Sequence, residues 1–329
     1  MQFRELGKSG IKVTPLALGS WPAGGGSEWG AKKEDSVYLD MMRTAFEGGV
    51  NFVDMAVFYG HGHAEELIGK AIKALDREKI VVSTKQVAAL LRRDNARATV
   101  EDCMRRLGTE YIDVFLVHWP NPEVEIGENM EALTKLKEEG KIRAIGVSNY
   151  TLEHLKRAVQ YAQIDVLQPC YNLFWRYQLE RDLLPFCIEN NIGIMTYSSL
   201  GQGLLTNRFL GGKDELEEGD QRININPLFH DDVFPVAVEA AKKIREIGAK
   251  YGKTLAQTAI NWNIGTPGIT TAIVGAVTSA EEEENLGALG WELSAEDRKT
   301  IGDIGLEVAK LVADWDTLFE KHHPMLELK

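Results

Sequence analysis

Short, largely apolar runs punctuate the chain at Leu16–Gly19, Phe52–Asp54, Ile80–Thr84, Ile112–Val117, Ala144–Val147, Val166–Pro169, Gly193–Thr196 and Thr270–Val274. Most are followed by a polar residue or a glycine. Between most of them lie longer segments in which apolar residues recur every three or four positions among charges, as at Met130, Leu133 and Leu136, or at Leu152, Leu155 and Ala158. The first pattern is that of strands buried on both faces, the second that of amphipathic helices. Strands and helices in alternation imply parallel pairing, and eight strands close a (β/α)8 barrel of the TIM type.

Two stretches break the rhythm. Phe3 to Val13 reads as a β-hairpin ahead of the barrel. The glycine- and charge-rich stretch from Gly201 to Phe234, after the seventh strand, is longer than an ordinary connection and is expected to be a flap over a site. No repeat beyond the β/α rhythm and no linker-like composition is present, so residues 1–329 are expected to form one domain.

Composition supports a large core and narrows the chemistry. The chain has 329 residues, 44% hydrophobic and 26% charged, a length that such barrels fill as one unit. Its net charge of -12 is spread without a Lys/Arg tract, which argues against nucleic-acid and anionic-membrane partners and leaves small molecules. Three cysteines, Cys103, Cys170 and Cys187, have neither metal-like nor redox-like spacing, so a reducing cytoplasmic setting is expected, with no metal. Charges at Arg4, Glu5, Lys8 and Lys12 leave no apolar signal core, and no later run approaches ~18 apolar residues. Monomer and homo-oligomer both stay open.

The competing α/β architecture is a doubly wound dinucleotide fold, which needs a G-x-G-x-x-G turn. The nearest match, Gly60-His-Gly62-His-Ala-Glu65, lacks the third glycine on which tight helix–strand packing depends.

Active sites of these barrels lie at the C-terminal ends of the strands, so the polar residues there carry the argument. Asp54 ends the second run, Lys85 follows the third, His118 follows the fourth, and Tyr59 lies five residues beyond Asp54. Singly, each has an ordinary reading: a turn aspartate, a solvated lysine, a packing ring, a core histidine. Together they form a proton-transfer device. A phenol of pKa near ~10 is a weak acid until a cation stabilises its phenolate, and Lys85 is such a cation. Asp54 is placed to keep a buried ammonium charged, and His118 to polarise a substrate oxygen.

These segments resemble a known family. Asp54-Met-Ala-Val-Phe-Tyr59-Gly60, Ser83-Thr-Lys85 and Leu116-Val-His118-Trp119-Pro120 are similar to the catalytic signatures of the aldo-keto reductases. Gly140 to Asn149 and Leu167 to Asn172 resemble the same family's fifth and sixth strand ends. The likeness runs from about Phe3 to about Leu293, with Met55 standing where relatives usually carry threonine.

The resemblance implies hydride transfer between a nicotinamide cofactor and an aldehyde, ketone, sugar or polyol. Tyr59 would be general acid in reduction and base in oxidation, Lys85 would lower its pKa, Asp54 would pair with Lys85, and His118 would position the carbonyl. Ser148, Asn149 and Gln168 would hold the carboxamide, and Tyr197 would stack on the ring. Ser198, Leu200, Gly201 and Gly203 after the seventh strand, and Gly275, Thr278, Glu281 and Asn285 after the eighth, would complete the cofactor contacts. Arg222 is a candidate for the pyrophosphate.

The segment from Gly275 to Asn285 contains no Arg or Lys, and Glu281 stands near where relatives often carry a basic or neutral polar group. A carboxylate repels a 2′-phosphate and accepts from ribose hydroxyls, which points to NAD(H) over NADP(H). Ser279-x-x-Glu282 reads equally as a capping box. Trp21, Phe58 and Trp119 are candidate pocket walls, with Trp175 and the flap, including Gly219-Asp-Gln-Arg222, as further covers. Two other functions compete: a lyase with a Schiff base on Lys85, and a non-catalytic nucleotide-sensing subunit. The paired carboxylate of Asp54 disfavours the first, the intact set of four residues the second.

Overall fold

The computed structural model describes residues 2–25, 33–214, 216, 220 and 222–326. Arg4–Glu5 (β1) and Lys12–Val13 (β2) form an antiparallel hairpin. Eight parallel strands then close on themselves: Leu16–Gly19 (β3), Phe52–Asp54 (β4), Val81–Gln86 (β5), Ile112–Val117 (β6), Ile142–Ser148 (β7), Val166–Gln168 (β8), Gly193–Thr196 (β9) and Ile269–Gly275 (β10). β10 pairs with both β3 and β9, which closes the barrel.

Strand alternation sorts the side chains into two cores. Ala17, Phe52, Val81, Val114, Leu116, Ala144, Val166, Met195 and Ile273 form an inner cluster with Leu6, Ile11 and Val13, so the hairpin plugs one end of the barrel. Their strand neighbours, Leu16, Leu18, Val53, Val82, Phe115, Ile145 and Leu167, pack outward against the helices. The same parity, carried to the C-terminal ends of the strands, aims Asp54, Lys85, Ser148 and Gln168 into the barrel mouth.

Some of the helices start at a side-chain cap. Thr151, Thr254 and Thr278 each form a capping box, with His154, Gln257 and Glu281 respectively. The box at the helix Ser279–Leu286 is thus one residue earlier than Ser279-x-x-Glu282, and the shift buries Glu282 instead of leaving it at the cap.

The stretch between β9 and the helix Phe234–Ala249 has structure of its own. It contains single helical turns at Gly201–Gly203, Asn207–Phe209 and Pro227–Phe229 and a short helix at Arg222–Ile225. Phe209, Phe229 and Phe234 pack ring on ring, with Phe209 and Phe229 centroids 5.2 Å apart, and anchor it to the barrel. Gly219 and Gln221 of the expected flap lie outside the described residues.

Candidate active site

At the barrel mouth Asp54 is the hub. Its Oδ2 accepts from Lys85 Nζ at 2.6 Å, and its Oδ1 accepts from Ser83 Oγ and Gln168 Nε2, both at 2.9 Å. The Lys85 ammonium also donates to the Met55 carbonyl at 2.7 Å and lies 5.0 Å from the centre of the Tyr59 ring. Both members of the ion pair are buried. Such a pair persists only because each charge is hydrogen-bonded as well as paired.

Tyr59 sits on a tight turn, Tyr59–Gly62, directly before the helix His63–Ile72. Trp21 stacks on its ring at 5.6 Å, and His118 meets it edge-on at 6.2 Å. Burial, and then the Asp54 carboxylate, push the phenol well above its usual range. This direction is opposite to the lowering expected from Lys85, because burial disfavours the charged phenolate and the Asp54 carboxylate adds to that effect. Burial also draws Lys85 down, with Asp54 opposing it. His118 is held well below the usual imidazole range by burial and by the Lys85 charge, so it is neutral at pH 7.

Around this centre lies a cleft of 630 Å³. Ser148, Asn149, Gln168, Tyr197, Ser198, Leu200, Gly203, Gly275, Glu281 and Asn285 all line it, as do Trp21, Phe58 and Trp119. Lys85 lies beneath the cleft floor. Gly201 and Thr278 do not line the cleft; Thr278 caps the helix Ser279–Leu286. Trp175, expected as a cover, does not line the cleft: a turn in which Asn172 and Trp175 exchange main-chain hydrogen bonds at 3.1 Å sends its indole into the outer core.

The polar residues of the cleft are wired together. Ser148 Oγ donates to the Gln168 carbonyl at 2.9 Å. Asn149, in the left-handed region at φ 59, donates to the His118 carbonyl at 3.0 Å and accepts from the Tyr197 hydroxyl at 2.7 Å. Gln168 uses its amide nitrogen on Asp54, which leaves Oε1 as an acceptor for a ligand. At the far end Glu281 Oε2 accepts from the main-chain N–H of Val277 at 2.7 Å and of Thr278 at 3.4 Å. Arg222 is clamped by both oxygens of Asp220 and donates to the Gln202 carbonyl at 3.0 Å.

Several lining residues escaped the sequence reading. Phe319 and His323 come from the C-terminal segment, where the His323 ring stacks on Trp119 at 4.3 Å and Phe319 meets both Trp21 and Trp119 edge-on. Gln202, Thr206, Asn207 and Arg208 line the cleft from the loop after β9. The only sequence signal for the first group is a cluster of aromatic and histidine residues in a tail without periodicity. Among the described residues no group of three or more His, Cys, Asp or Glu is arranged to hold a metal, and no helix is long and apolar enough to cross a membrane.

Comparison with known proteins finds relatives over most of the chain. The chain is 35% identical to aldo-keto reductase YhdN of Bacillus subtilis (strain 168), over 92% of this chain and 93% of that one. It is 31% identical to an NADH-specific methylglyoxal reductase of Escherichia coli (strain K12), over 90% and 96%. Among solved structures, the glycerol dehydrogenase AKR11B4 of Gluconobacter oxydans superposes with a TM-score of 0.81 at 30% identity, over 92% and 94%. An aldo/keto reductase of Klebsiella pneumoniae in complex with NADP and acetate gives a TM-score of 0.74 at 27% identity, over 91% and 94%. The model of the aldo/keto reductase family matches residues 15–305, and with these relatives it establishes that the chain belongs to that family.

Proposed function

We propose that this protein is an NADH-preferring oxidoreductase that reduces an aldehyde or ketone, or oxidises the corresponding alcohol, with Tyr59 as the acid. The observation that carries the reading is the convergence of Tyr59, the Asp54–Lys85 ion pair and a neutral His118 at the floor of one cleft. When bound, the nicotinamide supplies the hydride. Ser148, Asn149 and Gln168 would hold its carboxamide and Tyr197 would lie against its ring, since all four line the cleft beside the tetrad.

Tyr59 keeps its proton at neutral pH, which is the state an acid requires, and an alkoxide is a far stronger base than a phenolate. Lys85 then stabilises the phenolate that proton transfer leaves behind, and Asp54 keeps Lys85 in place. His118, being neutral, offers an N–H to a carbonyl oxygen without competing as a proton donor. The Asp54–Lys85 bond disfavours a Schiff base, because a protonated amine is not a nucleophile.

The preference for NADH rests on Glu281. Main-chain N–H groups at a helix N-terminus are an anion site, and here the Glu281 carboxylate itself takes those of Val277 and Thr278. A 2′-phosphate, bringing ~2 negative charges, would have to displace it. The NADH-specific Escherichia coli relative agrees with this reading, whereas the NADP complex of the Klebsiella relative shows that the family scaffold also takes the phosphorylated cofactor.

A cofactor-coupled absorbance screen of carbonyls and alcohols with NADH and NADPH tests both parts. Wild type is expected to show higher kcat/KM with NADH, and Glu281→Arg to shift the ratio toward NADPH about 10-fold or more. Equal or better wild-type kcat/KM with NADPH would overturn the preference, and no turnover across the panel would overturn the activity.

A further inference from the structure

The segment Gly60-His-Gly62-His-Ala-Glu65 fails as a dinucleotide fingerprint, and the tetrad uses only the tyrosine before it. Its fixed points have another explanation. Gly60 and Gly62 have φ of 62° and 96°. A Cβ on Gly60 would lie 1.9 Å from the Gly24 carbonyl oxygen, and one on Gly62 would lie 2.6 Å from the Arg106 side chain. The turn that carries Tyr59 is therefore pressed backbone-first onto Arg106.

Glu65, one helical turn later, is fully buried. Its Oε1 accepts from Thr84 Oγ1 at 2.7 Å and its Oε2 from Arg106 Nε at 2.5 Å. Thr84 is the outward-facing neighbour of Lys85 on β5. One carboxylate thus joins the helix behind Tyr59, the strand that carries Lys85, and the helix Ala96–Leu107 that supplies Arg106.

We propose that Glu65 and Arg106 are positioning residues, a clamp with a buried carboxylate that fixes the Tyr59 turn against the Lys85 strand and whose opposite charges set how firmly Tyr59 and Lys85 hold their protons. The proposal rests on the reading of Tyr59 as the acid. Glu65 adds to Asp54 in opposing the effect of burial on the Lys85 ammonium. Asp102, on the helix of Arg106, is paired with Arg105 and also acts to raise the Arg106 guanidinium. Asp54, Tyr59 and His118 face Lys85 from within the barrel. Cys103 lies beside Arg106 on the same helix, its thiol pushed up by burial and by Glu65 and so uncharged. From the helix Asp35–Glu47 the buried Tyr38 turns inward, and Asp35 is bonded to His63.

The signs follow from charge alone. Removing the Glu65 charge makes protons leave Lys85 and Tyr59 more readily, so the alkaline limb of kcat moves to lower pH. Removing the Arg106 charge leaves the Glu65 carboxylate uncompensated and moves the limb to higher pH. Loss of packing alone would lower activity in both variants without opposite displacements.

The test measures kcat and KM against pH for wild type, Glu65→Gln, Arg106→Gln and the double variant, with NADH affinity by fluorescence. NMR of 13C-labelled tyrosine follows the Tyr59 phenol and needs no turnover. Glu65→Gln is expected to lose about 10-fold in kcat, keep its NADH affinity within about 2-fold, and shift the limb and the Tyr59 titration down by about one pH unit. Arg106→Gln is expected to shift both upward, and the double variant to fall between. Arg106 lies partly at the surface, so its substitution reports even if Glu65→Gln does not fold. Titrations that stay put, or that move in the same direction in both single variants, overturn the clamp. Absent wild-type turnover combined with opposite Tyr59 titrations would overturn the catalytic reading and leave the clamp standing.

Discussion

The two ends of the barrel are built by the same strands on the same inward parity, yet they hold opposite chemistry. At the N-terminal end Leu6, Ile11 and Val13 of the hairpin complete an apolar cluster with Phe52, Val81, Val114 and Val166. At the other end the inward positions are Asp54, Lys85, Ser148 and Gln168, cross-linked by hydrogen bonds of 2.6 to 2.9 Å. Burial stabilises the first end directly. At the second it has to be offset by pairing, and the residual cost appears as displaced proton affinities at Tyr59, Lys85 and His118. One end is where the fold gains stability, and the other is where stability is given up for reactivity.

The largest effect should come from the polar end. Lys85→Met is expected to lower kcat about 10³-fold and, by leaving Asp54 buried without its partner, to destabilise the fold by about 3–5 kcal/mol, read by steady-state kinetics and urea unfolding. An unchanged unfolding midpoint would mean that the ion pair is not buried as described. At the apolar end Leu6→Ala should cost about 2–5 kcal/mol in stability while kcat/KM of the folded protein stays within about 2-fold. A large kinetic effect there would break the division between the ends.

Glu282 sharpens the comparison at the rim. It is buried on the helix Ser279–Leu286 with Asn285 Nδ2 as its hydrogen-bond donor at 3.3 Å, and burial raises its carboxyl to about 7. A group whose folded pKa is raised contributes its stability fully below its unfolded pKa and loses it as pH rises through the folded value. Between pH 5 and pH 8 the wild type should therefore lose about 2–3 kcal/mol that Glu282→Gln retains. Parallel stability–pH curves for the two proteins would contradict this assignment.

Much of this contrast was legible in the chain. The runs at Leu16–Gly19, Phe52–Asp54, Ile112–Val117 and Gly193–Thr196 coincide with strands because buried apolar side chains predominate in each. β5 and β7 extend to Gln86 and Ser148, beyond the apolar runs, because their last side chains are polar and an apolar rule stops short of them. The place of Trp175 is not legible because an aromatic at a strand end can turn either way, and only the Asn172 turn decides it. Phe319 and His323 are marked only by a cluster of aromatic and histidine residues, since their partners Trp21 and Trp119 are remote in sequence and the tail has no period. Glu65 was hidden in the same way, its partners lying 19 and 41 residues away.

The most direct test of the account is hydride transfer in Tyr59→Phe, followed by rapid mixing with NADH and a carbonyl substrate that wild type turns over. Loss of the phenol proton should slow the chemical step about 10³-fold while NADH binds within about 2-fold of wild type. Hydride transfer within 10-fold of wild type would show that the proton comes from elsewhere, and would contradict the acid assigned here.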